Sequence, residues 1–457
     1  MAFEEMPTRV QPPLRPIAPA FRPWVLAVVQ ALLPLLRRLR LFPWLPAGIA
    51  RVEVENIEEL ARCWHRFASG QARLILAFRH AEVDDPLLGL TLLARDLPRA
   101  ARRLGLPLPR PLHAHFLFDR GMPLWGGRAL GWLLASLGGV SVHRGRHPDW
   151  LALRQARRLV LEGRFPFAVA PEGATNGHGE CIGPLEPGVA QLGLWCAEDL
   201  CQGAGASSVQ VQLLPVTLQY RYLRADWPRL ARLMTRLEHT IGLPPPPVGS
   251  PGAHPYPRLV RLGEALLERL EDFYGRLERA PAPNAALPER IERLRDRVLT
   301  VAERQLGLRA EGTPVDRCRR LEEQAWRWIY RDDLPPPSLL SPLDRDLAER
   351  AAQEAGQALI HMRLAETFVA VSGTYVAERP SYERFMETTL LLHDALARLR
   401  GDRLPRRPRL GARCARLSIG TPIEVGERWS GRSRAERKQV VAAITAELRR
   451  SYEQALR

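Results

Sequence analysis

The sequence predicts an α/β protein: a mixed sheet covered by helices on both faces and interrupted by a long all-helical insertion. Three observations predict this class. Short apolar runs alternate with amphipathic helical patterns from about residue 72 to 220, as in sheets whose strands are joined by helices. From about 226 to 410 every periodic segment is helical. A strand-like run at 417–425 then follows near the end of the chain.

Five apolar runs in the first part are predicted strands, because they are short and rich in β-branched and aromatic residues. They are ARLILAF (72–78), LHAHFLF (112–118), GVSVH (139–143), FPFAVA (165–170) and VQVQLLPVTLQY (209–220). Helical patterns lie between them at about 86–104, 122–136, 149–162 and 188–200. Runs this apolar are typical of strands covered on both faces. Pro215 interrupts the last run, and we expect a bulge or kink there because proline cannot donate to a ladder.

The helical part shows no fixed repeat period, so a solenoid is not indicated. Its main predicted helices, separated by proline-rich breaks, are 258–277, 288–306, 363–376 and 382–399. A single strand followed by one helix cannot bury its own apolar face, so we expect 417–425 to pair in the same sheet as 209–220. We therefore divide the chain into an N-terminal interfacial helical segment (1–50), the first part of the α/β domain (51–225), a helical insertion (226–410) and a closing strand and helix (411–457).

The N-terminal segment contains the apolar run WVLAVVQALLPLL at residues 24–36. Pro34 interrupts this run, which is shorter than the roughly 20 residues that a spanning helix needs. Arginines follow at 37, 38 and 40, and tryptophans flank the segment at Trp24 and Trp44. The combination is typical of a helix lying in a membrane interface, and a helix docked on the protein core fits the run equally well. We expect no signal peptide.

The chain is strongly basic, with a net charge of +16 carried almost entirely by arginine. Excess guanidinium favours polyanionic partners, such as nucleic acid, anionic lipid head groups or phosphorylated substrates. The arginines are dispersed, and the sequence has neither zinc-finger spacing nor an RNA-binding aromatic signature, so we expect no nucleic-acid partner. The six cysteines show no CxxC spacing, which indicates free thiols in a reduced cytosolic compartment. The sequence contains no cluster of metal ligands, and we expect no bound metal.

The stretch FRHAEVDDPLLG (78–89) carries the first candidate site residues. His80 follows a buried strand, at the carboxyl end where α/β sheets place their ligands. Asp85 stands after four intervening residues and precedes Pro86, a common helix start. A loop of this length can bring the carboxylate onto the imidazole, and such a pair fixes the tautomer of a general base. The stretch is therefore either the polar corner where a strand becomes a helix or a catalytic base with its orienting acid.

Two later strand ends carry further candidates. Arg144 follows the run 139–143, where an arginine can bind a phosphate through both arms of its guanidinium, or can simply lie in solvent. VAPEGATNGHGE (169–180) contains Glu172 and Gly173. The carboxylate of Glu172 can accept from a substrate hydroxyl or from an arginine, and the glycine lets backbone N–H groups approach an anion closely. An ordinary exit from a strand into a loop is the alternative for this block.

Taken in order, these blocks resemble the glycerolipid acyltransferase family, whose best-known members are the 1-acyl-glycerol-3-phosphate acyltransferases. That family carries HX4D, a Gly-led strand ending in Arg, a Pro-Glu-Gly block, and an apolar strand containing Pro. The matching positions are His80 to Asp85, Gly139 to Arg144, Pro171 to Gly173, and Leu214 to Val216. The resemblance covers about 50–225 and 411–457. Ala174 and Thr175 stand where the family usually has Thr-Arg, and His143 stands where Asp or Asn is commoner.

The resemblance implies transfer of a fatty acyl group from an acyl thioester of coenzyme A or acyl-carrier protein to the hydroxyl of a lysophosphatidate-type glycerolipid, without any other cofactor. It implies His80 as general base, Asp85 as its orienting acid, and Arg144, Glu172 and Gly173 as the binding site for the glycerophosphate head group. We expect a peripheral protein on the cytoplasmic face of a membrane. The alternatives are transfer to another lysophospholipid or glycerolipid, and an inactive scaffold of the same fold that binds lipid or polyanion.

Overall fold

The computed structural model describes residues 10–40, 47–143, 149–173, 175, 177–202, 209–244, 246, 254–278, 286–335, 339–368, 371–402, 405–428 and 434–456. The chain divides into two compact units. Of the described residues, those in 16–143, 149–224 and 411–456 form the sheet unit, and those in 10–15 and 225–410 form the helical unit. Most of the helical unit therefore lies, along the chain, between two parts of the sheet unit.

The strands of the described residues form one sheet in the sheet unit. They are β1 (Ile49–Glu55), β2 (Ala72–Phe78), β3 (His115–Asp119), β4 (Gly139–Val142), β5 (Phe167–Val169), β6 (Gln210–Tyr222), β7 (Arg413–Ile419) and β8 (Ile423–Glu424). Their order is β1-β7-β6-β2-β5-β3-β4, and β8 also pairs with β6. β7 and β8 run antiparallel to β6, whereas the other neighbouring pairs are parallel. The sheet is therefore mixed, as predicted.

The α-helices are numbered along the whole chain. In the sheet unit they are α1 (Pro23–Arg38), α2 (Ile57–Ala68), α3 (Asp85–Thr91), α4 (Leu97–Arg103), α5 (Met122–Gly126), α6 (Arg128–Ser136), α7 (Trp150–Glu162), α8 (Gly188–Gln202) and α16 (Arg434–Leu456). In the helical unit they are α9 (Trp227–Ile241), α10 (Pro255–Glu278), α11 (Leu287–Gln305), α12 (Pro314–Ile329), α13 (Pro342–Thr367), α14 (Tyr375–Glu378) and α15 (Tyr382–Leu399). A π-helical turn, Leu92–Asp96, joins α3 to α4.

Helices cover both faces of the sheet, which confirms the predicted fold class. On one face, α2 and α4 contribute buried side chains such as Leu60 and Leu97, which pack with Leu214 of β6. On the opposite face, α8 and α16 contribute buried side chains such as Leu192 and Ile444. Each fully buried aliphatic side chain stabilises the fold by roughly 1.5–3 kcal/mol, so these two layers hold the sheet from both sides.

The closing strand pairs with the strand that precedes the insertion. Val216 of β6 lies opposite Ile419 of β7, and Tyr222 lies opposite Arg413. This confirms that the run 417–425 returns to the sheet that contains 209–220. The run is not one strand, however, because three residues separate β7 from β8.

Pro215 lies inside β6 without the expected bulge against β2, because residues 72–78 and 210–216 pair in unbroken register. Its carbonyl accepts from the backbone N–H of Gly420 at 2.9 Å. Within a strand, the nitrogen and carbonyl of one residue point to the same neighbour. The proline nitrogen therefore points to the gap between β7 and β8, where no ladder hydrogen bond is lost.

One predicted helix is wrong in part. The pattern at 363–376 is continuous in sequence, but α13 ends at Thr367 and a separate short helix, α14, begins at Tyr375. The strand β1 and the helix α2 were not predicted as individual elements. Apart from the buried Ile49, the residues of β1 are exposed or half-buried and form no long apolar run, which is typical of an edge strand.

The helical unit is held partly by buried ion pairs between consecutive helices. Arg258 of α10 lies 2.6 Å from the carboxylate of Glu238 in α9, and Arg317 of α12 lies 2.7 Å from Glu303 in α11. Both carboxylates are almost completely buried. Each arginine therefore compensates the charge of an acid that would otherwise be costly to bury.

Candidate functional site

His80 and Asp85 lie together at the carboxyl end of β2. Arg79 continues the pairing one residue past the strand, since its N–H donates to the carbonyl of Val216 at 2.9 Å. The next side chain, His80, lies with its Nδ1 3.0 Å from Oδ2 of Asp85. Asp85 is buried, whereas the side chain of His80 is 29% exposed. The four-residue loop brings the two side chains into hydrogen-bond contact, as its length predicts, with the imidazole still accessible.

Asp85 does not cap the helix that begins there. It is the first residue of α3, and Asp84 occupies the cap position without a side-chain capping bond. Instead, the Asp85 carboxylate accepts three hydrogen bonds: from His80, from the backbone N–H of Glu82 at 3.0 Å, and from the hydroxyl of Tyr220 at 2.5 Å. A carboxylate held by three donors has a fixed orientation. The helix-start interpretation therefore does not account for this acid.

Tyr220 is the partner that sequence reasoning missed. It lies in β6, far from Asp85 in sequence, and its hydroxyl is buried. Burial raises the pKa of Tyr220 well above its usual range, and the nearby Asp85 raises it further. The phenol therefore stays protonated and donates. With Nδ1–H of His80 donating to Asp85, Nε2 of the neutral ring is the basic nitrogen.

The other two acids of the stretch bind an arginine of the closing strand. Arg413 donates to Asp84 Oδ2 at 2.6 Å and also to Glu82, and its guanidinium carbon lies 4.6 Å from the ring centre of Tyr220. Burial lowers the pKa of Arg413, but Glu82 and Asp84 outweigh burial and raise the pKa overall, so the guanidinium stays charged. Glu82 and Asp84 therefore have a structural role: they hold the cation that packs on Tyr220.

Arg79, the residue before His80, fastens the loop after β5 to this corner. Its side chain is completely buried. The guanidinium donates to the carbonyls of His178, Gly179, Cys181 and Leu218, at 2.7–2.9 Å. The Pro-Glu-Gly block leads into this loop, so the first and third sequence motifs lie side by side.

Glu172 lies beside Arg79, with Oε1 3.4 Å from the arginine Nε. Of the two contacts expected for this carboxylate, a substrate hydroxyl or an arginine, the arginine contact is present. Burial raises the pKa of Glu172, while Arg79 and the N–H of Gly183 lower it less strongly. His80 and Asp85 are also close enough to influence this pKa, the first lowering and the second raising it. The adjacent Gly173 has a φ of +72°, a left-handed conformation that favours glycine.

Arg144 lies outside the described residues, so its role stays a sequence-based prediction. The strand before it is described: β4 ends at Val142, and the N–H of His143 donates to Asp149 Oδ2 at 3.0 Å. Arg120 also donates to this carboxylate. Asp149 is thus occupied by the end of β4 and by Arg120.

Helix α1 is docked on the sheet unit, which is one of the two arrangements left open by its sequence. One side is buried in the sheet unit through Val25, Leu26 and Leu33. The other side exposes an apolar stripe, consisting of Trp24, Val28, Leu32, Leu35 and Leu39. Trp132 of α6 is also exposed, 6.1 Å from the ring of Trp24. The helix is docked, and it also presents an apolar surface.

None of the helices in the described residues has the length and apolar content that a membrane-spanning helix needs. Within the same residues, no group of three or more His, Cys, Asp and Glu side chains is arranged to hold a metal ion.

Comparison with known proteins gave no match to a family model, a curated protein or a solved structure.

Proposed function

We propose that this protein transfers a fatty acyl group from an acyl thioester to the hydroxyl of a lysophosphatidate-type glycerolipid. The observation that carries the proposal is the partly exposed His80, whose Nδ1 lies 3.0 Å from an Asp85 that Tyr220 and Glu82 also hold. An imidazole oriented in this way is suited to general-base catalysis, which contributes roughly 10²–10⁴ in rate. The substrate class is taken from the order of the motifs along the chain, which resembles that of the glycerolipid acyltransferase family.

In the proposed reaction, Nε2 of His80 removes the proton of the acceptor hydroxyl as its oxygen attacks the thioester carbonyl. Asp85 stabilises the imidazolium that forms. When the tetrahedral intermediate collapses, the C–S bond breaks and the new ester C–O bond remains. The thiolate of coenzyme A or of acyl-carrier protein leaves and takes the proton from His80. No residue of the chain is acylated in this reaction.

The head group of the acceptor is assigned to the region after β4 and β5. Arg144 would hold the phosphate, and Gly173 would let the backbone approach it closely. Glu172, paired with Arg79, would hold this loop in place from its buried side.

If Arg144 binds the phosphate through both arms of its guanidinium, Arg144→Lys keeps the positive charge but loses the pair of parallel hydrogen bonds. We then expect a larger rise in KM for the acceptor than for the donor; an unchanged acceptor KM would remove Arg144 from the site.

We assign the protein to the cytoplasmic face of a membrane as a peripheral protein. The support is the exposed stripe of α1, whose last turn carries the exposed Arg38. Apolar side chains followed by cations are typical of helices that lie in the interface of anionic membranes. Such a position would also give access to a lipid acceptor.

The test is an acyl-transfer assay with purified protein. Labelled acyl-coenzyme A and acyl-acyl-carrier protein are each offered with lysophosphatidate, with other lysophospholipids and with glycerol 3-phosphate. We expect labelled diacyl product with lysophosphatidate. His80→Ala is the inactive reference, and His239→Ala, which alters an exposed histidine of α9, is the matched control. If no acceptor is acylated above the His80→Ala level while lipid binding persists, the inactive scaffold is the correct interpretation.

A further inference from the structure

A cleft of about 620 Å³ lies in the sheet unit, between α4 and the edge strand β1. Its charged side is formed by Asp96 and by three arginines of α4, Arg99, Arg102 and Arg103. Its apolar side is formed by Val52 and Val54 of β1 and by Ile57, the first residue of α2. A volume in this range, with an apolar wall and a few charged groups, is typical of sites for small molecules.

The cleft carries positive charge that the described residues leave uncompensated. Both oxygens of Asp96 already accept from Arg95, each at 2.9 Å. Arg103 lies 3.2 Å from an acid of α2. Among the described residues, no acidic side chain lies within ion-pair distance of Arg99 or Arg102. These two arginines are exposed and stand three residues apart, so they project on the same side of the helix. Two neighbouring guanidinium groups without acids favour an anion, above all a phosphate, whose oxygens match their paired donors.

The apolar wall of the cleft lies close to the candidate catalytic pair across the sheet. Val52 of β1 pairs with Ala415 of β7, and Ala415 pairs with Tyr220 of β6. Val52 is therefore in register with Tyr220 two strands away, a separation of roughly 10 Å at the usual spacing of strands. Tyr220 belongs to the core on the face that α2 and α4 cover, and Val52 packs against this core. Since the hydroxyl of Tyr220 donates to Asp85, the cleft and the pair of His80 and Asp85 lie near each other on one face of the sheet.

Coenzyme A, one of the two acyl donors of the proposed function, has the chemistry that this cleft fits. It carries phosphate groups at one end, together with an adenine ring whose faces can pack on an apolar wall. From its sulfur to its first phosphorus the arm has about 13 bonds, which reach roughly 15 Å at the rise per bond of an extended chain. The arm is thus long enough to place a thioester at His80 while the phosphates lie at Arg99 and Arg102. A concave site of this size fits a nucleotide better than a carrier protein, which would need contact over about 800 Å² of its surface.

We propose that this cleft binds the phosphates and the adenine ring of coenzyme A, and that coenzyme A, not acyl-carrier protein, delivers the acyl group. Arg99 and Arg102 would donate to the phosphate oxygens, with Arg103 as a further cation, and the valines of β1 would contact the adenine ring. The inference rests on the proposed function and deepens it by naming the donor. No bond is made or broken in the cleft, because the thioester reacts at His80.

The first test measures binding of coenzyme A to the purified protein by isothermal titration calorimetry, without acyl chain or acceptor. We expect saturable binding that weakens with added salt, and clearly weaker binding of pantetheine, which has no phosphate. Arg99→Gln and Arg102→Gln should each weaken the binding of coenzyme A about tenfold, because each removes charge-assisted hydrogen bonds. Arg128→Gln, which removes an exposed arginine of α6 outside the cleft, should bind like the wild type. Equal binding of coenzyme A and pantetheine, or equal losses at all three positions, would overturn the proposal.

The second test measures acyl transfer from acyl-coenzyme A to lysophosphatidate. We expect Arg99→Gln and Arg102→Gln to raise the KM for acyl-coenzyme A about tenfold and to leave the KM for the acceptor nearly unchanged, since these arginines contact only the donor. A rise in the acceptor KM alone would mean that the cleft binds the phosphate of the lysolipid. Dependence on the two arginines with acyl-acyl-carrier protein, but not with acyl-coenzyme A, would mean that the cleft binds an acidic carrier. Either result would overturn the assignment to coenzyme A.

A third measurement separates this inference from the proposed function. His80→Ala should bind coenzyme A like the wild type, because His80 does not line the cleft. Binding that depends on Arg99 and Arg102, in a protein that acylates no acceptor, would support the cleft assignment and refute the transferase. Transfer from acyl-coenzyme A with a donor KM that neither arginine affects would refute only the cleft assignment. Because both arginines are exposed, their variants should unfold at the wild-type midpoint, so a loss of binding would not be due to a loss of folding.

Discussion

Two buried arginines of the sheet unit show opposite arrangements. Arg413 in β7 pairs with Glu82 and Asp84 and packs on the ring of Tyr220, so the chain supplies every compensating contact. Arg37 in α1 is equally buried, yet the described residues leave two of its donors without an acceptor. A buried guanidinium with internal partners positions other groups of the fold. One without described partners lowers the stability of the fold, because nothing in the described residues compensates the loss of its hydration.

The largest effect is expected from removing the closing strand. A chain ending at residue 410 lacks β7, β8 and α16, and with them Arg413. Because β6 then loses its neighbour on one side and one helical layer is incomplete, we expect the sheet unit not to fold. Circular dichroism and limited proteolysis measure this directly. A folded, active chain of this length would show that the contacts of Arg413 are dispensable. The difference in role inferred for Arg413 and Arg37 would then be wrong.

The next effect concerns chemistry alone. His80→Ala should reduce acyl transfer by about 10²–10⁴-fold or more, because the general base is lost. The unfolding midpoint should stay close to that of the wild type, since the side chain is partly exposed. Loss of activity that only accompanies unfolding would instead support a purely structural role for His80 where β2 leads into α3.

The third prediction compares the two arginines by the same substitution. Arg413→Met leaves Glu82 and Asp84 without their cation, and breaking a buried pair in this way costs about 3–5 kcal/mol. Denaturant unfolding should therefore show a strong loss of stability. Arg37→Met should instead raise the stability, because it removes a buried charge for which the described residues supply no acceptor at Nε and Nη1. If both substitutions changed stability in the same direction, the distinction between a compensated and an uncompensated buried arginine would fail.

The smallest effect is expected at Tyr220. Tyr220→Phe removes one of the three hydrogen bonds to Asp85 and leaves the ring that packs under Arg413. A hydrogen bond to a charged group contributes roughly 1.5–3 kcal/mol, so we expect kcat to fall about tenfold with little change in KM. The ¹⁵N shifts of the His80 ring should also show less of the Nδ1–H tautomer. Tyr222→Phe, in the same strand, is the control, and a matching change there would assign the effect to general loosening of β6.

The architecture could be predicted from sequence because it depends on local periodicity. The runs 72–78 and 209–220 match β2 and β6 closely, and the isolated run at 417–425 has too little apolar surface to stand alone. The break between β7 and β8 could not be predicted. Gly420 lies in this break, and an added Cβ there would lie 2.5 Å from the hydroxyl of Ser451 and 3.1 Å from Pro215, which are both distant in sequence.

The candidate site was predictable only where its residues are neighbours along the chain. The contact between His80 and Asp85 follows from the short loop that joins them. Tyr220 comes near Asp85 once β6 pairs with β2, and Arg413 reaches the same part of the sheet once β7 pairs antiparallel with β6. No local pattern encodes either pairing. In a chain with so many arginines, nothing in the sequence distinguishes Arg413 from those on the surface.

The pairing of β6 with β7 also determines how the chain leaves and re-enters the sheet. The N–H of Leu223 donates to the carbonyl of Ala412 at 2.9 Å, so the points of exit and return are adjacent. Gly411, whose Cβ would lie 3.1 Å from the ring of Tyr222, begins the return. In topological terms the segment 225–410 occupies the place of a β-hairpin turn, which a few residues can close. Exposed turns of this kind are where domain insertions are best tolerated, so the helical segment has the position of a cassette that can change in length or sequence without altering the register of the strands on either side.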